Sequence, residues 1–402
     1  MKKLKTENYK GVRDFYPRDV FFQEYIFETW KKAVESFGFE QYNASLLENS
    51  EIYKAKTSEE IINNQTYTFI DRGEREVTLR PEMTPTLARM VAAKKRDLSF
   101  PARLYSIPNC FRYERPQRGR MREFWQLNVD ILNVKNDKFY DIEIIKLINQ
   151  ILLSFKASPE DFTIKINSRT LLNSVYKNYY EFDENEALTF QRLIDKRDKI
   201  ADEEFKNEYE KITDKEYLDI DKIDNENVKK ELEYVNQIIK ETGIPNIEFD
   251  QNIVRGFDYY TGIVFEVYDN DPENNRALFG GGRYENLIDL FETVKDNVNI
   301  SGIGFGIGDV PMMNFLESRN LLPEYVNSTD ILIGIVSENN EVIEYATKVA
   351  AELREQGKNV SINYDNKKVG DYMKMAEKNS IKNVVIIGEK ETEEKKYEVK
   401  AI

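Results

Sequence analysis

The sequence predicts an α+β protein with a mostly antiparallel sheet, a helical insertion and a small α/β unit near its C-terminal end. Three observations support this fold class. Residues 66–80 and 102–133 each show the strand–turn–strand pattern of a hairpin, which makes antiparallel pairs. Residues 169–240 show helical periodicity without a strand pattern. Residues 331–388 alternate between strands and helices, which is typical of a small α/β unit.

The individual elements follow from the same patterns. Residues 18–37 place apolar side chains on one face of a helix that Gly38 ends. The middle of the chain is predicted to contain a helix over 84–95, two long strands within 102–133, a helix over 139–156, strands over 254–268 and 298–308, and a linker over 319–330. The last part is predicted to contain strands over 331–336, 359–363 and 383–388 and helices over 340–356 and 369–379.

The composition excludes several classes of function. The chain has 402 residues, a net charge of -14, one cysteine and no histidine. An acidic total argues against a protein that coats DNA, and one cysteine leaves no partner for an intramolecular disulfide. Without histidine there is no imidazole base, no Ser-His-Asp triad and no histidine metal ligand. The longest apolar runs have strand length and no signal segment is recognisable, so we expect a cytoplasmic protein with no membrane contact and no metal site.

The most informative stretch is residues 110–126, which read CFRYERPQRGRMREFWQ and place five arginines within 112–122. Arg112 and Glu114 are predicted to share one face of the first strand, because strand side chains alternate. On the second strand one face is apolar, and the other carries Phe124, Gln126, Asn128 and Asp130. Arginine forks suit phosphate oxygens, so the polar face is typical of a site for a charged planar ligand. A solvated hairpin with surface salt bridges has the same pattern.

Three further segments carry unusual patterns. Residues 255–262 (RGFDYYTG) combine an arginine and an aspartate with a tyrosine pair, which are costly core residues unless they are paired. Residues 79–85 (LRPEMTP) also fit a turn that opens a helix, with Glu82 favouring the helix dipole. Residues 302–308 (GIGFGIG) place glycine at every second position, which predicts a bare strand face on which a flat base can lie. Close packing of that strand on a helix is the structural alternative.

These segments together carry a family resemblance. Residues 110–126 resemble motif 2 of the class II aminoacyl-tRNA synthetases, which binds ATP and the acceptor end of tRNA. Residues 255–262 resemble the signature peptide of the histidyl-tRNA synthetases, which other class II enzymes lack. Residues 79–85 resemble the loop that holds the α-amino group of histidine in that family. Residues 302–308, with Gly280-Gly281-Gly282-Arg283-Tyr284 upstream, resemble motif 3.

The resemblance spans residues 8–400 and implies an enzyme that joins L-histidine to tRNA(His), with ATP and Mg²⁺ as a substrate complex, in a homodimer. It implies a class II catalytic domain over 1–168 and 241–320, a helical insertion over 169–240, and a truncated anticodon-binding domain over 329–402. The implied catalytic residues are Arg112 and Arg255. The implied histidine-binding residues are Glu82, Thr84, Arg112, Gln126, Asp130, Arg255, Tyr259 and Tyr260. The implied ATP-binding residues are Arg112, Glu114, Arg120, Phe124, Gly304 and Gly306.

Two positions depart from the family pattern. Pro311 stands where motif 3 carries an arginine for the γ-phosphate of ATP, so we expect Arg120 and Mg²⁺ to hold that phosphate instead. Asp309 is predicted to cap the following helix. Ser45 replaces the proline that motif 1 places at the dimer interface. The alternative functions are the synthetase-like regulatory subunit of ATP phosphoribosyltransferase, which lacks the anticodon domain, a class II enzyme for another amino acid, and a pseudo-enzyme that senses uncharged tRNA.

Overall fold

The computed structural model describes residues 4–54, 65–134, 138–194, 197, 200–254, 259–274, 277–285, 291 and 300–402. Contacts divide the chain into two compact units, of which the first comprises Met1–Phe15 and Gln23–Leu322 and the second comprises Tyr16–Phe22 and Pro323–Ile402. None of the helices in these described ranges is both long enough and apolar enough to cross a membrane.

The strands and helices occur in the following order. The described strands are β1 (Glu40–Gln41), β2 (Leu47–Asn49), β3 (Tyr67–Ile70), β4 (Glu76–Leu79), β5 (Ala102–Ser106), β6 (Asn109–Phe111), β7 (Glu123–Leu132), β8 (Phe162–Ser168), β9 (Ile247–Phe249), β10 (Tyr260–Asp269), β11 (Ala277–Tyr284), β12 (Gly302–Gly308), β13 (Ile331–Ile335), β14 (Val360–Asn363), β15 (Asn383–Ile387) and β16 (Lys400–Ala401). The described α-helices are Pro17–Glu35, Glu51–Lys54, Thr84–Lys94, Lys138–Ser154, Arg169–Val175, Glu184–Ile194, Asp202–Ile212, Glu226–Thr242, Asp309–Ser318, Asn340–Glu355, Val369–Lys378 and Glu389–Glu394.

A large sheet forms the centre of the first unit. Its strand order is β1-β5-β7-β12-β11-β10-β8-β9, and β6 pairs with the other half of β7. The pairs from β5 through β8 are antiparallel, and the pairs at the two ends, β1 with β5 and β8 with β9, are parallel. The predicted α+β class with a mostly antiparallel sheet is therefore confirmed. The hairpin predicted over 66–80 is also confirmed, and it pairs with β2 in a separate three-stranded sheet.

The two faces of the large sheet have different compositions because strand side chains alternate between faces. Leu127, Val129 and Ile131 on β7 are fully buried on one face and belong to the main hydrophobic core. That core also contains the apolar side of the helix Lys138–Ser154, so the face is covered by helices. The opposite face carries Gln126, Asn128 and Asp130, as the alternation of the sequence predicted. This opposite face is called the polar face below.

The first predicted strand of the motif 2 hairpin is interrupted. β5 ends at Ser106 and β6 ends at Phe111, so Arg112 and Glu114 lie in the loop that leads to β7. The prediction that these two side chains share a strand face is wrong. Ile107-Pro108 separates β5 from β6, and proline cannot donate a backbone hydrogen bond to a ladder.

Aromatic side chains form the core of the helical segment between β8 and β9. Phe190 lies at the centre of this cluster, with ring centroids 4.8 Å from Tyr180, 5.3 Å from Phe182 and 5.7 Å from Tyr209. A π-helical turn, Tyr176–Tyr180, supplies one side of the cluster. The predicted helical character of this stretch is confirmed by four α-helices among its described residues, between Arg169 and Thr242.

The second unit contains a four-stranded sheet of order β14-β13-β15-β16. The first three strands are parallel, and the short β16 adds an antiparallel edge. Tyr372 from the helix Val369–Lys378 packs over Gly334 of β13, and its hydroxyl donates to the carbonyl of Ile335 at 2.7 Å. The predicted alternation of strands and helices over 331–388 is confirmed.

Candidate active site

The polar face of the large sheet is organised by strand register. Asp130, Asn128 and Gln126 on β7 lie directly opposite Gly304, Gly306 and Gly308 on β12. On the next strand, Gly282 and Gly280 of β11 lie opposite the first two of those glycines. A strip of small residues therefore runs across the middle of the face, with amide and carboxyl side chains along one edge.

Two buried carboxyl groups on this face are each paired with a tyrosine hydroxyl. The Tyr259 hydroxyl donates to Glu82 Oε2 at 3.4 Å, and both side chains are almost completely buried. Burial raises the pKa of Tyr259 well above its usual value, the nearby Tyr260 and Glu82 raise it further, and a hydrogen bond with Thr84 opposes them. Four of the predicted histidine-binding residues, from segments 79–85 and 259–260, are thus brought together.

Asp130 forms the second carboxyl–phenol pair. The Tyr284 hydroxyl donates to Asp130 Oδ1 at 2.9 Å, and the aspartate is 3% exposed. Burial raises the pKa of Asp130 to about 7, although the hydrogen bond from Tyr284 lowers it. The ring of Tyr284 lies 6.0 Å from the ring of Tyr259, so the two pairs are neighbours. This part of the face can accept hydrogen bonds from an ammonium group or a ring N–H.

Arg112 lies between the 79–85 loop and β7. Its Nε donates to the carbonyl oxygen of Pro81 at 2.9 Å, and its guanidinium lies 5.3 Å from the centroid of the Phe124 ring. The bond to Pro81 holds the arginine next to the residue that precedes Glu82. A guanidinium fixed in this way presents its remaining N–H groups as a fork for carboxylate or phosphate oxygens.

Glu114 and Arg120 form an ion pair across the motif 2 loop. Arg120 Nη1 lies 3.4 Å from Glu114 Oε2, and the arginine side chain is 60% exposed whereas the glutamate is 14% exposed. Exposed pairs of this kind are weak, so the arginine can leave its partner when a polyphosphate arrives. Arg122, in contrast, is fixed: its Nη1 donates to the Tyr9 hydroxyl at 3.0 Å, and its guanidinium stacks 4.0 Å from the Tyr113 ring.

The glycines of β12 do not leave a bare floor. A Cβ on Gly306 would lie 2.0 Å from Gln126 Nε2, and one on Gly304 would lie 2.3 Å from Asp130 Oδ1. The prediction of a side-chain-free surface is therefore wrong at these two positions, because side chains of β7 lean across the neighbouring strand. The glycines make room for Gln126 and Asp130, and the role of Gly304 and Gly306 in ATP binding stays a prediction.

Asp309 is the first residue of its helix and is not its cap. Gly308 is the N-cap residue and provides no side-chain hydrogen bond. The Asp309 carboxylate pairs with Arg13 Nη2 at 2.7 Å and accepts from the Trp125 backbone N–H at 3.0 Å. The predicted cap is wrong because the carboxylate serves β7 and the N-terminal segment instead. Burial raises the pKa of Asp309, and the Arg13 charge opposes that shift.

Of two further arginines in the sequence motifs, Arg80 lies within the described residues and Arg255 does not. Arg255, together with Gly256, Phe257 and Asp258, lies outside the described residues, so its predicted role stays a prediction. Arg80 of the 79–85 segment is 5% exposed, and its Nε donates to the carbonyl of Asn109 at 2.8 Å. Its Nη1 donates to the carbonyl of Ala44 at 2.9 Å, so this arginine joins three chain segments behind the site.

Sequence reasoning missed several side chains of the polar face. Tyr284 follows Gly280 and Gly282 at the same two-residue interval, so the alternation of β11 was a usable signal for its position. Asn128 was predicted on the polar face but was not assigned to the site, and its Oδ1 accepts from Gln126 Nε2 at 2.9 Å. Tyr42 and Ser106 had no signal, because nothing in the sequence around Tyr42 indicates that it lies beside the end of β5, where Ser106 is.

The fold and this set of side chains define a class II aminoacyl-tRNA synthetase: an antiparallel sheet with arginines, amides and carboxylates over a strip of glycines. Comparison with known proteins narrows that class. The family model for histidyl-tRNA synthetase matches residues 11–308, and a model for an anticodon binding domain matches residues 330–402. The chain therefore belongs to the histidyl-tRNA synthetase family.

Individual relatives agree with that assignment. The histidine–tRNA ligase of Leptospira biflexa is 40% identical over 97% of this chain and 91% of its own length. The histidine–tRNA ligase of Thermoplasma volcanium is 34% identical over 97% of this chain and 92% of its own length. The crystal structure of histidyl-tRNA synthetase from Nostoc superposes with a TM-score of 0.79 at 25% identity, covering 99% of this chain and 95% of that one.

Proposed function

We propose that this chain activates L-histidine with ATP and transfers it to the 3′ end of tRNA(His). In the first step a carboxylate oxygen of histidine attacks the α-phosphorus of ATP, and pyrophosphate leaves. In the second step the terminal ribose hydroxyl of the tRNA attacks the carbonyl carbon of the adenylate, and AMP leaves. The observation that carries the proposal is the close grouping of two carboxyl–phenol pairs, Glu82–Tyr259 and Asp130–Tyr284, on the polar face.

The histidine site follows from the charges of that face. Glu82 and Thr84 bind the α-ammonium group of the substrate, and Asp130 accepts a hydrogen bond from its ring N–H. Gln126, Tyr259 and Tyr260 complete the surroundings, and Arg255 binds the substrate carboxylate. A carboxylate nucleophile is already ionised at neutral pH, so the first step requires no general base. The absence of histidine from the chain is compatible with this chemistry.

The ATP site lies at the other end of β7. Arg112 binds the α-phosphate, where negative charge increases during the attack, and Phe124 and Glu114 hold the adenine. Gly304 and Gly306 lie next to the nucleotide. Mg²⁺ arrives with ATP as part of the substrate, and Arg120, released from Glu114, binds the phosphate tail in place of a motif 3 arginine. The anticodon arm of the tRNA binds the second unit, and the enzyme is a cytoplasmic homodimer.

The alternative of a non-catalytic regulatory subunit is less well supported. Such subunits lack the anticodon domain, whereas an anticodon-binding model matches residues 330–402 of this chain. Histidine-dependent exchange of pyrophosphate into ATP separates the two functions, because only the synthetase catalyses it. A purified chain that binds histidine but shows no exchange would reject the proposed activity.

Arg255→Ala tests the histidine site within that assay. The variant removes the proposed cation for the substrate carboxylate, and a charge-assisted bond of this kind is worth about 1.5–3 kcal/mol. We expect the exchange rate at subsaturating histidine to fall roughly 10- to 100-fold, with the thermal unfolding midpoint unchanged. Wild-type exchange by this variant would remove Arg255 from the site.

Deletion of residues 323–402 tests whether the second unit is needed for charging of tRNA but not for pyrophosphate exchange. We expect charging of tRNA to fall much more than pyrophosphate exchange, because only charging uses the anticodon arm. Lys367, Lys368, Lys374 and Lys378 are the candidates for phosphate contacts in this unit, and their substitution by alanine is the gentler version of the test. Equal losses in the two assays would contradict the proposal for the second unit.

A further inference from the structure

The polar face continues beyond Asp130 to two hydroxyl groups that the proposed mechanism does not use. Tyr42 follows β1, and its backbone N–H donates to the carbonyl of Tyr105 at 2.9 Å. Since Gln41 is paired with Tyr105 in the parallel register, the next residues, Tyr42 and Ser106, are neighbours on the polar face. Ser106 in turn lies opposite Asn128 of β7. The edge of the histidine site is therefore formed by β1 and β5.

Both hydroxyl groups are buried, and neither makes a hydrogen bond of good geometry within the described part of the chain. Ser106 is 1% exposed and lies close enough to Tyr42 to lower the pKa of that phenol, so the two hydroxyls have only each other as a possible partner there. A buried hydroxyl without a partner is costly, and most such groups in folded proteins are satisfied. Two of them side by side indicate a place where a polar ligand atom completes the hydrogen bonding.

Asp130 is the charged group with the largest electrostatic effect on Tyr42. Burial raises the pKa of Tyr42 well above its usual value, and the neighbouring charge of Asp130 raises it further. Among the described residues, Tyr284 is the one hydrogen-bond donor to Asp130, and it reaches only Oδ1. The carboxyl therefore has acceptor capacity left for a ligand and for a second protein donor.

We infer that Tyr42 and Ser106 are positioning residues for recognition of the substrate ring. Resting on the proposed function, the inference is that Tyr42 donates to the Asp130 carboxylate when that carboxylate accepts the imidazole N–H, and that Ser106 donates to the Tyr42 oxygen. The relay fixes the direction in which Asp130 points and favours its ionised form. Without it the carboxyl is held by Tyr284 alone, and a ring N–H is recognised less tightly.

Other titratable groups face the same cluster and are held constant in the test. Arg80 lowers the pKa of Tyr42, and Cys110 raises it, through their charges. Asp130 also raises the pKa of Tyr259 and of Tyr284. All five of these side chains are kept when Tyr42 or Ser106 is substituted.

The test compares Tyr42→Phe with Tyr105→Phe in histidine-dependent pyrophosphate exchange. Tyr105 is a matched control because its hydroxyl bonds to Glu35 at 2.6 Å on the opposite face of the sheet. For Tyr42→Phe we expect the KM for histidine to rise about tenfold, the loss of one hydrogen bond to a charged group, with kcat and the KM for ATP within about twofold. Ser106→Ala should produce a smaller increase in the same constant. Tyr105→Phe should leave all three constants unchanged.

The pH profile separates positioning from a merely structural role. Because Tyr42 does not bond to Asp130 in the free protein, its donation lowers the pKa of that carboxyl only in the histidine complex. The ratio of histidine KM between Tyr42→Phe and wild type should therefore shrink as the pH falls from 8 to 6 and Asp130 takes up a proton. The ring of the substrate titrates equally in both proteins and cancels in that ratio. A ratio that is independent of pH, or a change in kcat alone, would overturn the inference.

Calorimetric measurement of histidine binding distinguishes a failure of this inference from a failure of the proposed function. If the wild-type chain binds histidine but shows no exchange, the proposed activity fails, and the dissociation constants of the same variants still test the relay. If exchange is normal and Tyr42→Phe behaves like Tyr105→Phe in both assays, the relay fails while the proposed activity stands.

Discussion

Two aspartates are buried on opposite sides of the large sheet, and their surroundings differ. Asp141, from the helix Lys138–Ser154, is fully buried and pairs with Arg283 Nη2 at 2.8 Å, and the Tyr234 hydroxyl donates to it at 3.3 Å. Asp130 is almost as deeply buried, but in the described part of the chain it forms no ion pair and accepts one bond from Tyr284. A buried carboxylate that is paired with a cation has its charge compensated within the fold. A buried carboxylate without a cation is a candidate ligand-binding group.

The largest expected effect on stability comes from removing Asp141, the aspartate that is paired with a cation. Asp141→Ala removes the carboxylate that pairs with the nearly buried Arg283 guanidinium. We expect the free energy of unfolding to fall by about 3–5 kcal/mol, as for other broken buried pairs. Chemical denaturation measures this loss. Arg75→Ala is the control, because the exposed Arg75–Asp71 pair contributes roughly 1 kcal/mol or less. Equal effects of the two substitutions would show that burial of the pair is irrelevant.

Asp130→Asn tests whether the aspartate without a cation makes the stability of the fold depend on pH. The pKa of Asp130 in the folded chain is about 7, against 3.8 as the ordinary value. The folded state therefore binds the proton more tightly than the unfolded state, so this carboxyl stabilises the fold when protonated, and that contribution is lost as the pH rises through 7. Asparagine has no such titration. We expect the stability of the variant relative to wild type to increase by about 2–3 kcal/mol between pH 5 and pH 8.

The measurement for this prediction is denaturant unfolding of both proteins at a series of pH values. The substitution should also raise the KM for histidine, because the amide replaces an acceptor of the ring N–H. A stability difference that stays constant from pH 5 to pH 8 would mean that Asp130 is already ionised in the free protein. The contrast between the two aspartates would then disappear.

Gly306→Ala tests the polar face with the smallest expected effect. The three atoms nearest to the new Cβ all belong to the Gln126 side chain, with Nε2 at 2.0 Å, so we expect that side chain to move while the backbone stays in place. We expect the KM for histidine to rise about tenfold and stability to fall by about 1 kcal/mol. Gly370→Ala is the matched control, because no atom lies within 4 Å of its added Cβ. A large loss of stability would show that the Gln126 side chain cannot move away from the new Cβ.

The strands that carry the site were predicted well where side-chain alternation was strong. β7 and β12 both have alternating patterns, and their register brings Asp130, Asn128 and Gln126 next to the glycines. β8 and β11 were not predicted as strands. β8 was missed although Phe162, Ile164 and Ile166 alternate with polar residues after a turn that contains Pro159, which was a usable strand signal. β11 was missed because its three consecutive glycines have low strand propensity.

The side-chain arrangement was less predictable than the strands. The tilt of Gln126 and Asp130 across the glycines depends on strand packing that no local pattern records. The pairing of Asp309 with Arg13 joins residues that are 296 positions apart, so local cap chemistry gave the wrong partner. Tyr42 reaches the site only through the parallel pairing of a two-residue strand, β1, which has no sequence signature.

The Asp130–Tyr284 pair also has a spectroscopic consequence. The chain contains no histidine, so in a sample of the protein with its proposed substrate every imidazole ring belongs to the substrate. The pKa of Asp130 is about 7, close to the value of about 6.5 for a free imidazole, and two such neighbouring groups exchange protons as a coupled pair. The carbon-bound ring protons of bound histidine would therefore shift with the protonation of Asp130 in proton NMR. No histidine of the protein would add a titrating imidazole signal of its own.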